Sequence, residues 1–184
     1  MNLATKVTLG RILLIPVLVA VLLSNFEWKW FCSLDILILA SLSDWFDGKI
    51  ARKKFQVTEF GKFLDPLADK IFVLSVFLCF IELKILNAVP VILIIAREFF
   101  ITALRFDAVL NKEVIPANNF GKVKTSLQMF YISLVLAFCH YNLGSWWIFS
   151  IFVNTGIWIV VAISIISLVS YVTQNKNFLS FSRH

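Results

Sequence analysis

The chain has 184 residues, of which 60% are hydrophobic, and its mean hydropathy is +0.88. A soluble domain is roughly 45–50% apolar, so a water-soluble fold of this size has too little interior to bury such a composition, and lipid must replace water around part of the chain. The formal net charge is +6. The three cysteines stand far apart and are odd in number, and only Cys139 has a neighbouring His, so neither a disulfide framework nor a zinc site is expected.

Six apolar spans follow one another along the chain, each near the ~20 residues that a helix needs to cross a bilayer. They are predicted at residues 7–24, 30–48, 64–82, 86–106, 122–140 and 146–172, and the polar residues 48–63 are predicted as a loop. Backbone polar groups must be satisfied inside lipid, so each span is interpreted as a helix. The predicted fold is an all-α integral membrane protein with six transmembrane helices and an N-terminal juxtamembrane segment, in one domain over residues 1–184.

The basic residues are distributed unequally between the two sides of the predicted membrane. All Lys and Arg fall on one side or at its edge, except Lys29 and Lys84. The positive-inside rule makes the basic side cytoplasmic and places both termini there. Because topology accounts for much of the charge, we expect no nucleic-acid partner. The prediction is a multi-pass protein of the cytoplasmic membrane, with tryptophans flanking the spans on the far side: Trp28, Trp30, Trp146 and Trp147.

Four aspartates mark the ends of the second and third spans. Asp44 and Asp47 are three residues apart, and Asp65 and Asp69 are four apart, so each pair occupies one face of its helix. Carboxylate oxygens suit Mg²⁺ or Mn²⁺, and no neighbouring His or Cys favours a softer metal. Two such ions hold a diphosphate and stabilise charge on a transferring phosphoryl group. The alternative is that these aspartates are solvated charges at helix ends, paired with neighbouring basic residues.

Small residues accompany the aspartates and complete a recognisable pattern. Gly48, Ala51 and Gly61 leave room for a flat base or a diphosphate beside the backbone. The combined pattern, DxxDGxxAR from Asp44 to Arg52 and then GxxxDxxxD ending at Asp69, resembles the signature of the CDP-alcohol phosphatidyltransferase family. That resemblance implies a metal-dependent phosphatidyl transfer at the cytoplasmic face of the membrane, catalysed by a homodimer.

The resemblance also implies a role for each signature residue. Two divalent cations, Mg²⁺ or Mn²⁺, are bound by Asp44, Asp47, Asp65 and Asp69. Asp69 is in addition the base that takes the proton of the acceptor hydroxyl. The implied CDP-binding residues are Thr5, Asp47, Gly48, Ala51, Arg52 and Gly61.

A second set of residues resembles the branch of this family that makes phosphatidylglycerophosphate. It comprises AREF at 96–99, Leu104 with Arg105, GKVKT at 121–125, and Thr8, Arg11 and Pro16. Thr5 departs from this branch, which often carries Asn there. The implied substrates are CDP-diacylglycerol and glycerol 3-phosphate.

The acceptor phosphate is predicted to contact cations at the cytoplasmic ends of spans four and five. Arg105, Lys122 and Lys124 stand there, and Arg matches phosphate bidentately while Lys acts as a point charge. Their alternative role is that of positive-inside anchors. Arg97 and Glu98 lie deeper in span four, where unpaired charges are costly, so we expect a salt bridge or a position facing a cavity.

Other functions remain compatible with parts of the sequence. Within the family, the acceptor is alternatively phosphatidylglycerol, giving cardiolipin, or inositol or inositol phosphate. Outside it, a membrane prenyltransferase also holds a diphosphate with metal-bound aspartates, but its aspartate spacing differs. A cation transporter is a third possibility, although its acids are expected nearer the middle of the membrane, often with an internal repeat.

Overall fold

The computed structural model describes residues 3–53, 59–110, 119–141 and 145–174, and this part of the chain is helical without strands. Six helices follow in chain order: α1 (Leu3–Leu23), α2 (Lys29–Lys53), α3 (Glu59–Glu82), α4 (Ala88–Leu110), α5 (Asn119–Tyr141) and α6 (Trp146–Gln174). Within them, some side chains lie outside the description: those of 3–8, 43–53, 59–66, 107, 109–110, 119–120 and 122. The predicted all-α class is confirmed.

The second and third helices are longer than their predicted spans. The second span was expected to end at residue 48, whereas α2 continues to Lys53, and α3 begins at Glu59 rather than at 64. The predicted loop over 48–63 is therefore wrong at both ends. Hydropathy marks where a segment becomes polar, whereas the i→i−4 hydrogen bonds of a helix continue through Ala, Arg and Lys, which have high helix propensity. Both halves of the aspartate signature consequently stand on helical backbone.

The described residues form two compact units. One contains residues from 1–86 and 132–149, and the other contains residues from 87–131 and 150–184. In the first unit α1 packs against both α2 and α3. Large apolar side chains of α1 and α3 are fully buried there: Leu18, Leu22, Phe72, Val76, Phe77 and Phe80. This packing fixes α3, the helix that carries Asp69.

The C-terminus of α3 is closed by a Schellman motif. Lys84 adopts a left-handed conformation with φ 58°, and the amide of Ile85 donates to the carbonyl of Phe80 at 2.9 Å. The amide of Lys84 donates to the carbonyl of Ile81, also at 2.9 Å. These bonds satisfy carbonyl groups that the last helical turn leaves without a partner, and they end α3 sharply before α4.

Among the residues whose side chains the structure describes, two helical segments are long and apolar enough to cross a membrane, Val123–Tyr141 and Trp146–Gln174, and a shorter apolar helix covers Leu9–Leu23. Only 33% of the most apolar window of each long segment is buried inside the protein. Large apolar side chains of α6 are instead exposed: Ile148, Ile151, Trp158, Ile159, Ile165, Ile166 and Val169. Lipid suits such a surface, whereas water does not.

Within the second unit, α5 and α6 approach closely at Gly156. The hydroxyl of Tyr131 donates to the carbonyl oxygen of Val153 at 2.9 Å, so the ring lies across the α6 backbone. A Cβ atom added at Gly156 would stand 2.6 Å from Cε2 of Tyr131. Because Tyr131 is buried and held by its hydroxyl, its ring has little freedom to move away.

We expect Gly156→Ala to lower the free energy of unfolding by about 1–3 kcal/mol, the usual cost of overpacking. Thermal unfolding in detergent measures this effect. Gly10→Ala is the matched control, because nothing lies within 4 Å of a Cβ atom added at Gly10 in α1. That substitution should be neutral or stabilise the protein by up to about 1 kcal/mol, since glycine disfavours a helix interior. Equal melting temperatures for the two variants would contradict the prediction.

Candidate active site

Asp69 is the signature aspartate whose side chain the structure describes. Its carboxylate forms an ion pair with Nη1 of Arg11, which reaches it from α1. The Arg11 side chain is 6% exposed, whereas that of Asp69 is 43% exposed. The guanidinium is thus buried in the first unit, and the carboxylate it holds keeps an accessible edge. A substrate or a cation can therefore meet Asp69 from solvent.

The other signature residues are located by their backbone. Asp44 and Asp47 are helical residues of α2, and Asp65 belongs to α3, so the predicted three- and four-residue spacings do place each pair on one helix face. The side chains of Asp44, Asp47 and Asp65 lie outside the described residues. The same applies to the remaining residues of the predicted CDP-binding set: Thr5, Gly48, Ala51, Arg52 and Gly61. Their roles stay predictions.

The predicted donors fit a hard divalent cation in their chemistry. In the part of the chain with described side chains, no group of three or more His, Cys, Asp and Glu gathers around one point. Asp69 is the member of the predicted set that falls in this part, and its half-exposed carboxylate supplies the oxygen ligands that Mg²⁺ and Mn²⁺ prefer. The predicted set contains carboxylates alone, without the thiolate or imidazole that would favour zinc.

A buried ionic cluster occupies the second unit. Oε1 of Glu98 accepts a hydrogen bond from Nη1 of Arg97 at 3.1 Å, and the same oxygen pairs with Nζ of Lys124. Arg97 also donates through Nη2 to Oγ of Ser167 at 2.6 Å. All four residues are buried. The salt bridge that was one of the two expectations for Arg97 and Glu98 is confirmed. Helices α4, α5 and α6 each contribute at least one residue to the ionic cluster.

The three predicted acceptor-binding cations have different surroundings. Arg105 is half-buried, with its Cζ atom 5.7 Å from the ring centre of Tyr171. Lys124 is 3% exposed, so it does not reach the aqueous boundary as a positive-inside anchor would. The side chain of Lys122 lies outside the described residues. The burial of Lys124 argues against the anchor interpretation for that residue, and phosphate binding stays a prediction for all three.

Several buried polar atoms of the second unit have no hydrogen-bond partner among the described residues. They are Nε of Arg97, Nε of Arg105, Nε2 of Gln128 and Oγ of Ser164. The charges of Arg97 and Arg105 are also close enough to repel each other. Buried donors left without partners are costly, and an anionic oxygen is one kind of group that satisfies them. Binding of an oxyanion in this unit stays a prediction.

Comparison with known proteins shows the family to which this chain is related. The family model for CDP-alcohol phosphatidyltransferase matches residues 1–166. The chain belongs to the CDP-alcohol phosphatidyltransferase family. This membership decides against the prenyltransferase and cation-transporter alternatives.

Individual relatives agree with this membership. The chain is 36% identical over 193 residues to a Bacillus subtilis (strain 168) protein named CDP-diacylglycerol–glycerol-3-phosphate 3-phosphatidyltransferase, covering 98% of each chain. A Rickettsia bellii protein of the same name is 39% identical over 135 residues, which are 73% of this chain and 75% of that one. A rice protein named cardiolipin synthase (CMP-forming) is 38% identical over 151 residues, 74% of this chain and 46% of that protein.

The sequence analysis did not identify the partners of Asp69 in the first unit or all the partners in the buried ionic cluster of the second unit. It did not pair Arg11 with Asp69 or Lys124 with Glu98, and it did not notice Ser167. A signal for the last was present, because Ser164, Ser167 and Tyr171 recur at helical spacing in the otherwise apolar α6, and all three are buried. Polar residues at this spacing in an apolar helix predict one polar face turned toward a partner.

Proposed function

We propose that this protein transfers the phosphatidyl group of CDP-diacylglycerol to glycerol 3-phosphate, giving phosphatidylglycerophosphate and CMP. The observation that carries the proposal is the 36% identity with the Bacillus subtilis enzyme named for this reaction, over 98% of both chains. A second candidate acceptor is phosphatidylglycerol, which the similarity to the rice cardiolipin synthase favours. Both candidates use the same donor and the same bond-breaking step.

The donor is bound, in this proposal, by the signature residues of α2 and α3. Asp44, Asp47, Asp65 and Asp69 hold two divalent cations, Mg²⁺ or Mn²⁺. Bound there, these ions neutralise the diphosphate and the departing CMP. The CDP moiety contacts Asp47 together with the small and polar residues Thr5, Gly48, Ala51, Arg52 and Gly61. Helical backbone at the α2 and α3 positions supports this assignment, since glycine and alanine on a helix face allow close approach.

Asp69 is proposed as the general base. Its carboxylate takes the proton from the acceptor hydroxyl, whose oxygen attacks the phosphorus next to diacylglycerol, and the bond from that phosphorus to the CMP oxygen breaks. The 43% exposure of the Asp69 side chain supports this role, because a base must be reachable by the hydroxyl. The ion pair with buried Arg11 limits the orientations of the carboxylate.

The acceptor phosphate is proposed to bind Arg105, Lys122 and Lys124. Support comes from the described residues of the second unit, where the buried cations Arg97 and Lys124 share the carboxylate of Glu98, and where Nε of Arg97 and Nε of Arg105 have no partner. Buried donors without a partner are costly, and a phosphate monoester supplies anionic oxygens that satisfy them. Free inositol has no anionic group, and serine has no phosphate.

The membrane arrangement is part of the same proposal. All six helices cross the membrane in one domain over residues 1–184, with the active site and both termini on the cytoplasmic side, and the enzyme acts as a homodimer. The distribution of Lys and Arg supports the orientation, and the exposed apolar face of α6 supports contact with lipid. The protein is accordingly placed in the cytoplasmic membrane.

A parallel acceptor assay tests the reaction and its metal requirement. The protein in mild detergent receives CDP-diacylglycerol, Mg²⁺ and one of five acceptors: glycerol 3-phosphate, serine, inositol, inositol phosphate or phosphatidylglycerol. CMP release and lipid mass are measured. We expect a lipid product, phosphatidylglycerophosphate, only in the reaction that contains glycerol 3-phosphate. EDTA should abolish CMP release, and added Mn²⁺ should restore it. Cardiolipin from phosphatidylglycerol would replace the proposed acceptor, and CMP release unaffected by EDTA would overturn the metal assignment.

A further inference from the structure

Glu98 connects two cations that stand on different helices. Its Oε1 atom meets Arg97 of the same helix α4 and Lys124 of α5, and all three side chains are at most 8% exposed. Replacing such a buried ion pair with apolar residues of similar volume is often neutral or stabilising, so its presence is weak support for a role in stability alone. The arrangement requires another explanation.

The cluster fixes its cations at several points. Among the described side chains, Arg97 and Lys124 share the carboxylate of Glu98, and the charge of Arg105 lies near that of Arg97. Arg97 is fixed by Glu98 at one end of its guanidinium and by Ser167 at the other. Its Nε atom is nevertheless buried without a partner among the described residues. Long cationic side chains ordinarily lose conformational entropy when they bind a ligand, and holding them beforehand reduces that loss.

We infer that Glu98 is a positioning residue for the acceptor phosphate, acting through Lys124 and Arg97. This inference deepens the proposed function and rests on it. Glu98 does not itself attract the phosphate, since both are anions. Its role is to hold Lys124 and Arg97 in the positions from which they bind the phosphate, although its negative charge offsets part of their positive charge. Selection of a phosphate-bearing acceptor over a neutral alcohol follows from this arrangement.

The direction in which one substitution changes phosphate affinity separates a positioning role of Glu98 from a purely electrostatic one. Glu98→Gln keeps the shape of the side chain and removes its negative charge. If Glu98 acted only by its field, the phosphate would bind more tightly after the substitution, because a repelling anion is gone. If Glu98 positions the cations, the phosphate binds more weakly, because Lys124 and Arg97 lose their common partner.

The experiment compares four variants in detergent with CDP-diacylglycerol and Mg²⁺. For Glu98→Gln, the KM for glycerol 3-phosphate should rise at least about fivefold, equivalent to ~1 kcal/mol, with the KM for CDP-diacylglycerol unchanged. Ser167→Ala should shift the same constant in the same direction, but less, because it removes one hydrogen bond of Arg97. Ser33→Ala is its matched control, because Ser33 is equally buried but lies on α2 in the first unit, with no partner for its Oγ among the described residues. Glu27→Gln, at an exposed position, controls for the change of charge.

Each outcome has a defined meaning. A KM for glycerol 3-phosphate that falls or stays constant in Glu98→Gln overturns the inference, and so does an equal rise for both substrates. If Glu98→Gln does not fold, the comparison of Ser167→Ala with Ser33→Ala decides, and identical kinetics of those two variants overturn the inference. Wild-type protein that makes no phosphatidylglycerophosphate overturns the proposed function, whereas an active wild type with unresponsive variants overturns the positioning role alone.

Discussion

Replacing Asp69 with Asn should lower kcat by about 10²- to 10⁴-fold, the usual contribution of a positioned general base. The two side chains have nearly the same shape, but the amide does not accept a proton from the acceptor hydroxyl. Asp69 is also a proposed ligand of the divalent cations, so the fall should lie toward the upper end of this range. CMP release at saturating glycerol 3-phosphate measures kcat directly.

Two further measurements separate chemistry from folding in this variant. Arg11 is 6% exposed and loses its charged partner in Asp69→Asn, so some loss of stability is expected, and the melting temperature must be recorded beside kcat. Binding of CDP to the resting protein shows whether the donor site is still formed. Asp35→Asn is the matched control, because Asp35 is an exposed aspartate on α2 outside the signature. Near-normal turnover of folded Asp69→Asn would exclude Asp69 as the base.

The helices, and the helical positions of the signature aspartates, could be predicted from the sequence. Apolar runs of near-membrane length identify helices because their backbone has no other way to satisfy its hydrogen bonds in lipid. Asp44, Asp47, Asp65 and Asp69 fall on helix faces because their spacing is local to one helix. The predicted helix ends near residues 48 and 63 were wrong. Hydropathy indicates whether a segment lies in lipid or in water, but not where its helical hydrogen bonds end.

The contacts around the proposed acceptor site were predicted less completely, because the residues that form them are distant from one another in sequence. Lys124 and Glu98 are separated by the connection between α4 and α5, and Arg97 meets Ser167 on α6. Periodicity shows which face a residue occupies, but not which residue of another helix faces it. The cost of an unpaired charge in lipid predicted a salt bridge or a position facing a cavity for Arg97 and Glu98, and the structure shows the salt bridge.

Arg105 is more exposed than Lys124, the other proposed acceptor-binding residue whose side chain the structure describes. It is half-buried, its guanidinium lies over the ring of Tyr171, and its Nε atom has no partner among the described residues. Contact with an aromatic face holds a guanidinium in place while leaving its edge for hydrogen bonds. That geometry suits bidentate contact with a phosphate.

Replacing Arg105 with Ala should raise the KM for glycerol 3-phosphate by about 10- to 150-fold, because hydrogen bonds to a charged group contribute about 1.5–3 kcal/mol each. The KM for CDP-diacylglycerol should change little. Arg105→Lys should recover only part of the loss, because an ammonium is a point charge without the planar fork that matches phosphate. Lys84→Ala, which removes an exposed cation beyond α3, serves as the control. Equal rises in both KM values would assign Arg105 a structural role, since a residue that merely supports the fold has no reason to distinguish the acceptor from the donor.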